Sequence, residues 1–122
     1  MIPTEVIQST LRTFHGSGSN HPCLDPNFVM SEGVYYLVKV AECNWLIDLL
    51  PSYIGRFEKH RAVLELKKDE NSWRLTITDA EGKIRVSEPV NSCTFPLPDI
   101  KLFVEWSKLS GNRWVVSLPS EN

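Results

Sequence analysis

Long hydrophobic runs are missing from this sequence of 122 residues. Its apolar segments fall short of the ~18–20 residues that a membrane-spanning helix needs. The amino terminus, MIPTEVIQST, has neither the basic segment nor the apolar segment of a secretory signal peptide. These absences predict a cytoplasmic protein that does not enter a membrane.

Cysteine is also scarce, with only Cys23, Cys43 and Cys93 at wide and unrelated spacings. An odd number of cysteines without regular spacing does not make a disulfide framework. We therefore expect a reducing compartment, which fits a cytoplasmic location. The formal charge of −2 argues against binding nucleic acid through overall charge alone, but it does not exclude a local basic face.

Catalytic signatures are absent as well. The chain has no phosphate-binding Gly-Lys-Ser/Thr loop, no dinucleotide fingerprint, no His-Glu-x-x-His zinc motif and no nucleophile elbow. His15, His21, Cys23 and Asp25 gather in a turn-rich segment, but the paired spacing of a structural zinc site is lacking. The sequence thus predicts a loop there, with no metal, no cofactor and no catalytic residue, and it favours a protein that is not an enzyme.

The first half of the chain has helical periodicity. Ile7, Leu11 and Phe14 predict a helix over residues 4–14. Ser31 is a suitable N-cap for a second helix, which runs to Ala41 along an apolar face. A further helical segment is predicted over residues 44–50.

The second half alternates with the twofold period of strands. HRAVLELKK, SWRLTIT and KIRVS, joined by short turns, predict an antiparallel meander, and IKLFVEWSKL with RWVVSL predicts a closing hairpin. The expected fold class is α+β in a single domain: helices over residues 4–55 pack on one face of an antiparallel sheet of about five strands over residues 60–118. The predicted core consists of Leu37, Ala41, Trp45, Leu64, Leu75, Ile77, Val86, Val104 and Trp114.

Asp48 lies in an unusually apolar stretch, AECNWLIDLL. Asn44, Asp48 and Ser52 are spaced four residues apart, which places them in one polar stripe along a helix. No lysine or arginine lies between Lys39 and Arg56 to serve as a partner. A structural carboxylate that meets solvent is the prediction.

The sheet face opposite the helices is predicted to be basic. Val63, Phe103 and Val115 share this face, and Glu65 and Glu105 are the only acids expected to oppose its cations. The candidate binding residues are Arg61, Lys67, Arg74, Lys83, Arg85, Lys101, Phe103 and Arg113. Such a face could hold an acidic protein surface or a single strand of nucleic acid, or it is an ordinary solvated face.

Several short segments in a fixed order carry a family resemblance: GSGSN, SEGVYYLVKVAECNWLID, TFPLPDI and SLPSE. They resemble a small bacterial and phage-associated family of unknown function. The sequence departs from the family pattern at Glu32, Asn44 and Cys93-Thr94. The resemblance implies that Trp45 and Asp48 belong together and that the gene is a mobile-element or accessory gene. The matching residues are Gly16, Ser17, Gly33, Val34, Tyr36, Leu37, Ala41, Trp45, Leu46, Asp48, Phe95, Pro96, Leu97, Leu118, Pro119, Ser120 and Glu121.

Three functional hypotheses follow from the sequence. The leading one is a small non-catalytic interaction module that binds a protein partner or itself. The second is a nucleic-acid-associated accessory protein that uses the basic sheet face. The third is a small hydrolase or metal-dependent enzyme built on the segment from His15 to Asp25.

Overall fold

The computed structural model describes residues 3–13, 20–23, 26–54, 61–69, 72–90, 99–107, 111 and 113–121. Within these residues the fold is α+β, and its strands form one seven-stranded mixed sheet in the order β1-β2-β7-β6-β3-β4-β5. The helices are α1 (Thr4–Leu11), α2 (Glu32–Ala41), α3 (Asn44–Asp48) and α4 (Leu50–Ile54), with a 3-10 turn at Pro119–Glu121. The strands are β1 (Asn20–Pro22), β2 (Phe28–Ser31), β3 (Arg61–Asp69), β4 (Ser72–Asp79), β5 (Ile84–Val90), β6 (Asp99–Ser107) and β7 (Arg113–Ser117).

The prediction of about five antiparallel strands was wrong. The meander β3-β4-β5 and the hairpin β6-β7 are present, but β1 and β2 extend the sheet at its other end. Strand β2 pairs with β7 in parallel, with Val29 opposite Val115. Two strands therefore precede α2, so the order of helices first and sheet second does not hold.

One hydrophobic cluster unites the helices and the sheet. Ile7, Leu37 and Leu46 from the helices join Leu64 and Ile77 from the strands in this cluster, and each is at most 1% exposed. Alternation explains the choice of strand residues, since side chains two apart point to the same face of a sheet. The twofold pattern thus selects the buried face.

The predicted core was correct for most members and wrong for Trp45. Trp45 is 36% exposed, because it lies on the outward side of α3 while Leu46 and Ile47 are buried. Ala41 and Val86 are partly buried and pack against the cluster. Helix α1 ends at Leu11, three residues short of the prediction, and Phe14 lies outside the described residues.

The polar stripe on the short helices meets solvent as predicted. Asn44, Asp48 and Ser52 are all exposed. At the end of the same region, the Tyr53 hydroxyl donates a 2.7 Å hydrogen bond to Glu88 and so joins α4 to the edge strand β5. That hydrogen bond, with burial and the charge of Glu88, raises the pKa of Tyr53 above its ordinary value.

Candidate binding surface

The outer face of the sheet is the surface that strands β3 to β7 turn away from the hydrophobic cluster. None of the side chains of this face that the structure describes on these strands is buried. Val63 and Phe103 face each other across β3 and β6 at its centre, and both are partly exposed. At the margin on β2, Val29 is only 5% exposed. The described part of this face is an open, shallow surface with an apolar centre.

All the cations predicted for this face are exposed, but the structure separates them into groups. Arg61, Lys83 and Arg85 lie toward one end of the sheet, where Ala62 is opposite Asp79. Arg74 lies toward the other end, directly opposite Lys67. Arg74 therefore lies apart from Arg61, Lys83 and Arg85 on this face.

Acidic partners neutralise several of these cations. Arg61 Nη2 lies 3.4 Å from Glu105 Oε1, and the guanidinium lies 4.5 Å above the ring of Phe103. Lys67 Nζ lies 3.3 Å from Glu65 Oε2. Lys101 lies opposite Glu65 in the register of β3 and β6.

Two further acids oppose the cations, which corrects the expectation that only Glu65 and Glu105 do so. Asp99 pairs with Lys67 across β6 and β3. Asp79 Oδ2 accepts from Arg85 Nη1 at 3.3 Å. Alternation from Leu75 and Ile77 assigns Asp79 to the buried face of β4. A bulge between β4 and β5 shifts the register beside Asp79, so alternation alone did not predict its contact with Arg85.

Asp79 also organises the turn between β4 and β5. Its Oδ1 accepts hydrogen bonds from the backbone amides of Glu81 and Lys83, both at 3.0 Å. Gly82 occupies the left-handed region there, with φ of 82°. The hydrogen bond from Lys83 is the largest cause that lowers the pKa of Asp79, and Glu81 and Arg85 add to it.

The segment from His15 to Asp25 is not a plain loop, because β1 lies within it. His21 stacks on Tyr35, with ring centroids 3.9 Å apart, and its Nε2 lies 3.2 Å from Glu32 Oε1. The two groups lie close enough for an ion pair but do not form a hydrogen bond. His15 and Asp25 lie outside the described residues.

Metal ligands do not gather anywhere in the described part of the chain. No group of three or more His, Cys, Asp and Glu side chains lies there in a position to hold an ion. Cys23 is a partly buried cysteine and Cys43 a buried one. Among the same residues, no helix combines the length and the apolar character needed to cross a bilayer.

Two segments of the family-like pattern contact each other in the structure. Residues of SEGV and LPSE, which lie far apart in the sequence, meet where α2 begins. Ser31 caps the helix by accepting from the amide of Val34 at 3.3 Å, as predicted. Glu121 accepts from the Ser31 hydroxyl and from the amides of Gly33 and Leu118.

These features define an α+β protein with an open mixed sheet and a carboxy-terminal segment fixed to a helix start. The chain belongs to a family described as Family of unknown function (DUF6876), whose model matches residues 5–122. This match confirms the expected membership of an uncharacterised family. No curated protein and no solved structure matches the chain significantly.

Proposed function

We propose that this protein is a small cytoplasmic, non-catalytic interaction module that binds a protein partner, or a second copy of itself, through the outer face of its sheet. The observation that carries the proposal is the make-up of that face. An apolar centre at Val63 and Phe103 is surrounded by charged residues that are already partly paired. Arginine and aromatic side chains are enriched where proteins bind one another, and Arg61 with Phe103 supplies both.

The size of the face suits this role. Five strands spaced ~4.8 Å apart, each ~25 Å long, present a flat area of roughly 600 Å². A stable interface buries about 800 Å² on each partner, so the face and its rim come close to what is needed. The residual excess of cations favours a partner with an acidic surface.

The edges of the sheet are less suited to binding than its face. Strand β1 and strand β5 are the outer strands, and each contains a proline, Pro22 or Pro89. Proline has no backbone N–H to donate to an added strand, and the bulge beside Arg85 distorts β5 further. Addition of a partner strand at these edges is therefore disfavoured.

The test uses a matched pair of variants. Phe103→Glu places a charge at the centre of the outer face, whereas Val6→Glu places the same charge on α1, where Val6 is 49% exposed. Proteins captured from cells of the source organism are identified and purified, and their binding to each variant is then measured. Sedimentation velocity of the purified chain tests self-association with the same two variants.

We expect Phe103→Glu to abolish partner binding or self-association and Val6→Glu to retain it. Equal binding by both variants, with both folded, would place the interaction elsewhere.

The second candidate is the nucleic-acid-associated accessory protein. It is favoured by the excess of exposed cations on the outer face, including Arg74, Lys101 and Arg113. Against it, Phe103 is the single aromatic residue of this face on the described strands, and base stacking normally uses several. The family resemblance also suggests a mobile-element or accessory gene, which both candidates accommodate.

A further inference from the structure

Strands β3 and β6 are neighbours in the middle of the sheet, and their outer-face side chains form matched pairs. Each charged residue of one strand lies opposite a residue of the other sign, and one apolar pair lies among them. In order along β3, the four pairs are Arg61 with Glu105, Val63 with Phe103, Glu65 with Lys101 and Lys67 with Asp99. The charges on β3 therefore run positive, neutral, negative, positive, and those on β6 are the reverse.

These side chains can be reached by a binding partner, because none of the eight is buried. Several are already held in place by their neighbours. Arg61 Nη2 lies 3.4 Å from Glu105 Oε1, and Lys67 Nζ lies 3.3 Å from Glu65 Oε2. Side chains that are ordered before binding lose less conformational freedom when a partner arrives.

The alternating order of charges makes this surface complementary to itself. Consider a twofold axis that runs parallel to the strands, midway between β3 and β6. It would lay β3 of one copy over β6 of a second copy. Each residue would then face, on the second copy, the same residue that it already faces across the two strands. Glu65, for example, would lie over Lys101 of the second copy, and like charges would not meet at any of the four levels.

The geometry of packed sheets allows this arrangement. Two sheets stack about 10 Å apart with their strands within about 30° of each other, and this axis keeps the strands aligned. Val63 would contact Phe103 of the second copy at the centre. A face of roughly 600 Å² on each copy gives about 1,200 Å² in total, the lower limit for a specific interface. We therefore expect a dimer with a dissociation constant in the micromolar range.

The cations on the other strands do not oppose this pairing. Arg74 on β4 lies level with Lys67 and Asp99, whereas Arg113 on β7 lies level with Ser107 at the opposite end of the sheet. The axis therefore does not bring these two arginines together. Arg85 lies on the edge strand β5, where solvent and salt screen charges.

We propose that a second copy of this chain is the partner of the outer face, and that the two copies pack face to face about this axis. The inference rests on the proposed function, since it names the occupant of the surface that was assigned to protein docking.

The test compares two charge reversals with the wild-type chain by sedimentation velocity. Glu65→Lys places a cation over Lys101 of the second copy, and Lys101→Glu places an acid over Glu65. Each variant alone should raise the dimer dissociation constant by more than about tenfold, because like charges across an interface repel. Glu5→Lys and Lys39→Glu make the same changes at exposed helical positions and should dimerise as the wild type does.

The decisive measurement mixes Glu65→Lys and Lys101→Glu in equal amounts. Within each variant's own sheet the reversal creates a like-charge pair, and mixing leaves that pair unchanged. Between the copies, the introduced lysine would face the introduced glutamate, and the unchanged Lys101 of one chain would face the unchanged Glu65 of the other. The mixture should therefore form heterodimers with about the wild-type dissociation constant. Circular dichroism verifies that both variants are folded, as expected because exposed charges contribute little to stability.

Three results would overturn the inference: a wild-type chain that stays monomeric at roughly 0.2 mM, reversals that leave the dimer unchanged, or a mixture that associates as weakly as either variant. The docking role of the face is tested separately by Phe103→Glu. It survives a monomeric wild type if Phe103→Glu abolishes binding of another protein. It fails together with this inference if a wild-type dimer is unaffected by Phe103→Glu and by both reversals.

Discussion

The carboxylate of Glu121 accepts a hydrogen bond from the hydroxyl of Ser31, a residue 90 positions earlier in the chain. The same carboxylate accepts from the amide of Gly33 at 3.2 Å and from the amide of Leu118 at 2.9 Å. A negative charge at the start of a helix is stabilised by the helix dipole and by the free amides there. The carboxy-terminal segment is thereby fixed to the start of α2.

The first prediction concerns this contact. Glu121→Ala should lower the free energy of unfolding by about 1–3 kcal/mol, because it leaves partly buried donors without their acceptor. Urea denaturation measures the change. Glu81→Ala is the matched control at an exposed turn position, and it should change stability by less than ~0.5 kcal/mol. Equal effects of the two substitutions would contradict the role of Glu121.

Gly33 gives a second prediction with an unusual sign. In most helix interiors Gly→Ala stabilises by about 0.5–1 kcal/mol. At Gly33 an added Cβ would lie 2.8 Å from Glu121 Oε1 and closer still to Leu118 Cδ1, so one of these groups must move. We expect Gly33→Ala to destabilise the protein by about 1–3 kcal/mol, measured by urea denaturation.

A double variant separates crowding from other causes. If Gly33→Ala acts by displacing Glu121, its effect combined with Glu121→Ala should be clearly smaller than the sum of the single effects. Ser52→Ala, at an exposed helical position, should be neutral or slightly stabilising. Additive losses at positions 33 and 121 would rule out the displacement.

The third prediction contrasts two apolar residues that the sequence placed together in the core. Leu75 is 1% exposed, so Leu75→Ala should cost about 2–5 kcal/mol. Trp45 is 36% exposed, so Trp45→Ala should cost less than ~2 kcal/mol. Thermal or urea unfolding of both variants measures the difference. A larger loss at Trp45 than at Leu75 would show that α3 is packed with its other side inward.

Those two residues also show which parts of the fold local sequence could predict. Leu75 follows a strict alternation, and an alternating strand has only one choice of buried face. Trp45 lies in a five-residue helix of the sequence NWLID, at the border between the polar stripe of Asn44 and Asp48 and the apolar side of Leu46 and Ile47, so the helical period does not decide whether it is buried. The strands β3 to β7 were therefore predicted well and the orientation of α3 was not.

The FVM segment before Ser31 indicates a short extended piece, which corresponds to β2, but strand β1 and the pairing of both strands required information that local patterns do not contain. Strand β1 is three residues long in a segment rich in turn-forming residues. Strand β2 has four consecutive buried residues and pairs in parallel with β7, which lies more than 80 residues later. Such pairing depends on the assembled sheet, so neither length nor alternation in the sequence reveals it.

The sequence predicted which charged residues of this face are exposed, but it did not predict where on the face they lie. Their separation into two ends depends on register, which fixes Lys67 opposite Arg74. Asp69 pairs with Ser72, so Lys67, two residues earlier on β3, lies opposite Arg74, two residues later on β4. The bulge that brings Arg85 to Asp79 had no sequence signal other than the short turn at Gly82.

The fourth prediction concerns Asp79 and acid. Backbone amide hydrogen bonds lower the pKa of Asp79 in the folded state below the ordinary value of about 3.9. The lowered pKa contributes stability that is present above that ordinary value and is lost as pH falls through the folded-state pKa. The difference in unfolding free energy between wild type and Asp79→Asn should therefore be constant near neutrality and shrink in acid below about pH 4.

Urea unfolding from neutral pH to pH 2.5 measures this difference. Glu81→Gln changes a neighbouring exposed carboxylate whose side chain caps no turn amide in the described structure, and it should follow the wild-type profile more closely. If the difference in unfolding free energy between wild type and Asp79→Asn stays constant down to pH 2.5, the turn does not depend on the ionised carboxylate.

The last prediction decides between the two candidate functions. Single-stranded oligonucleotides are titrated with the chain at low salt and then at increasing salt, with fluorescence anisotropy as the measurement. Each neutralised phosphate of a single strand contributes about −0.7 to the log–log slope of affinity against salt. A nucleic-acid surface that uses Arg61, Arg74, Arg85 and Arg113 would give a slope of several times that value.

We expect no strong binding, because Glu105 and Asp79 already neutralise Arg61 and Arg85. If steep salt-dependent binding is found, charge reversal by Arg74→Glu with Arg85→Glu should abolish it while the fold is retained, since exposed charges contribute little to stability. The control is Arg12→Glu with Lys39→Glu, an identical change of charge at two exposed positions outside the strands, one directly after α1 and one in α2. Binding that only the control retains would identify the outer face as a nucleic-acid surface and would replace protein docking as the function of this face.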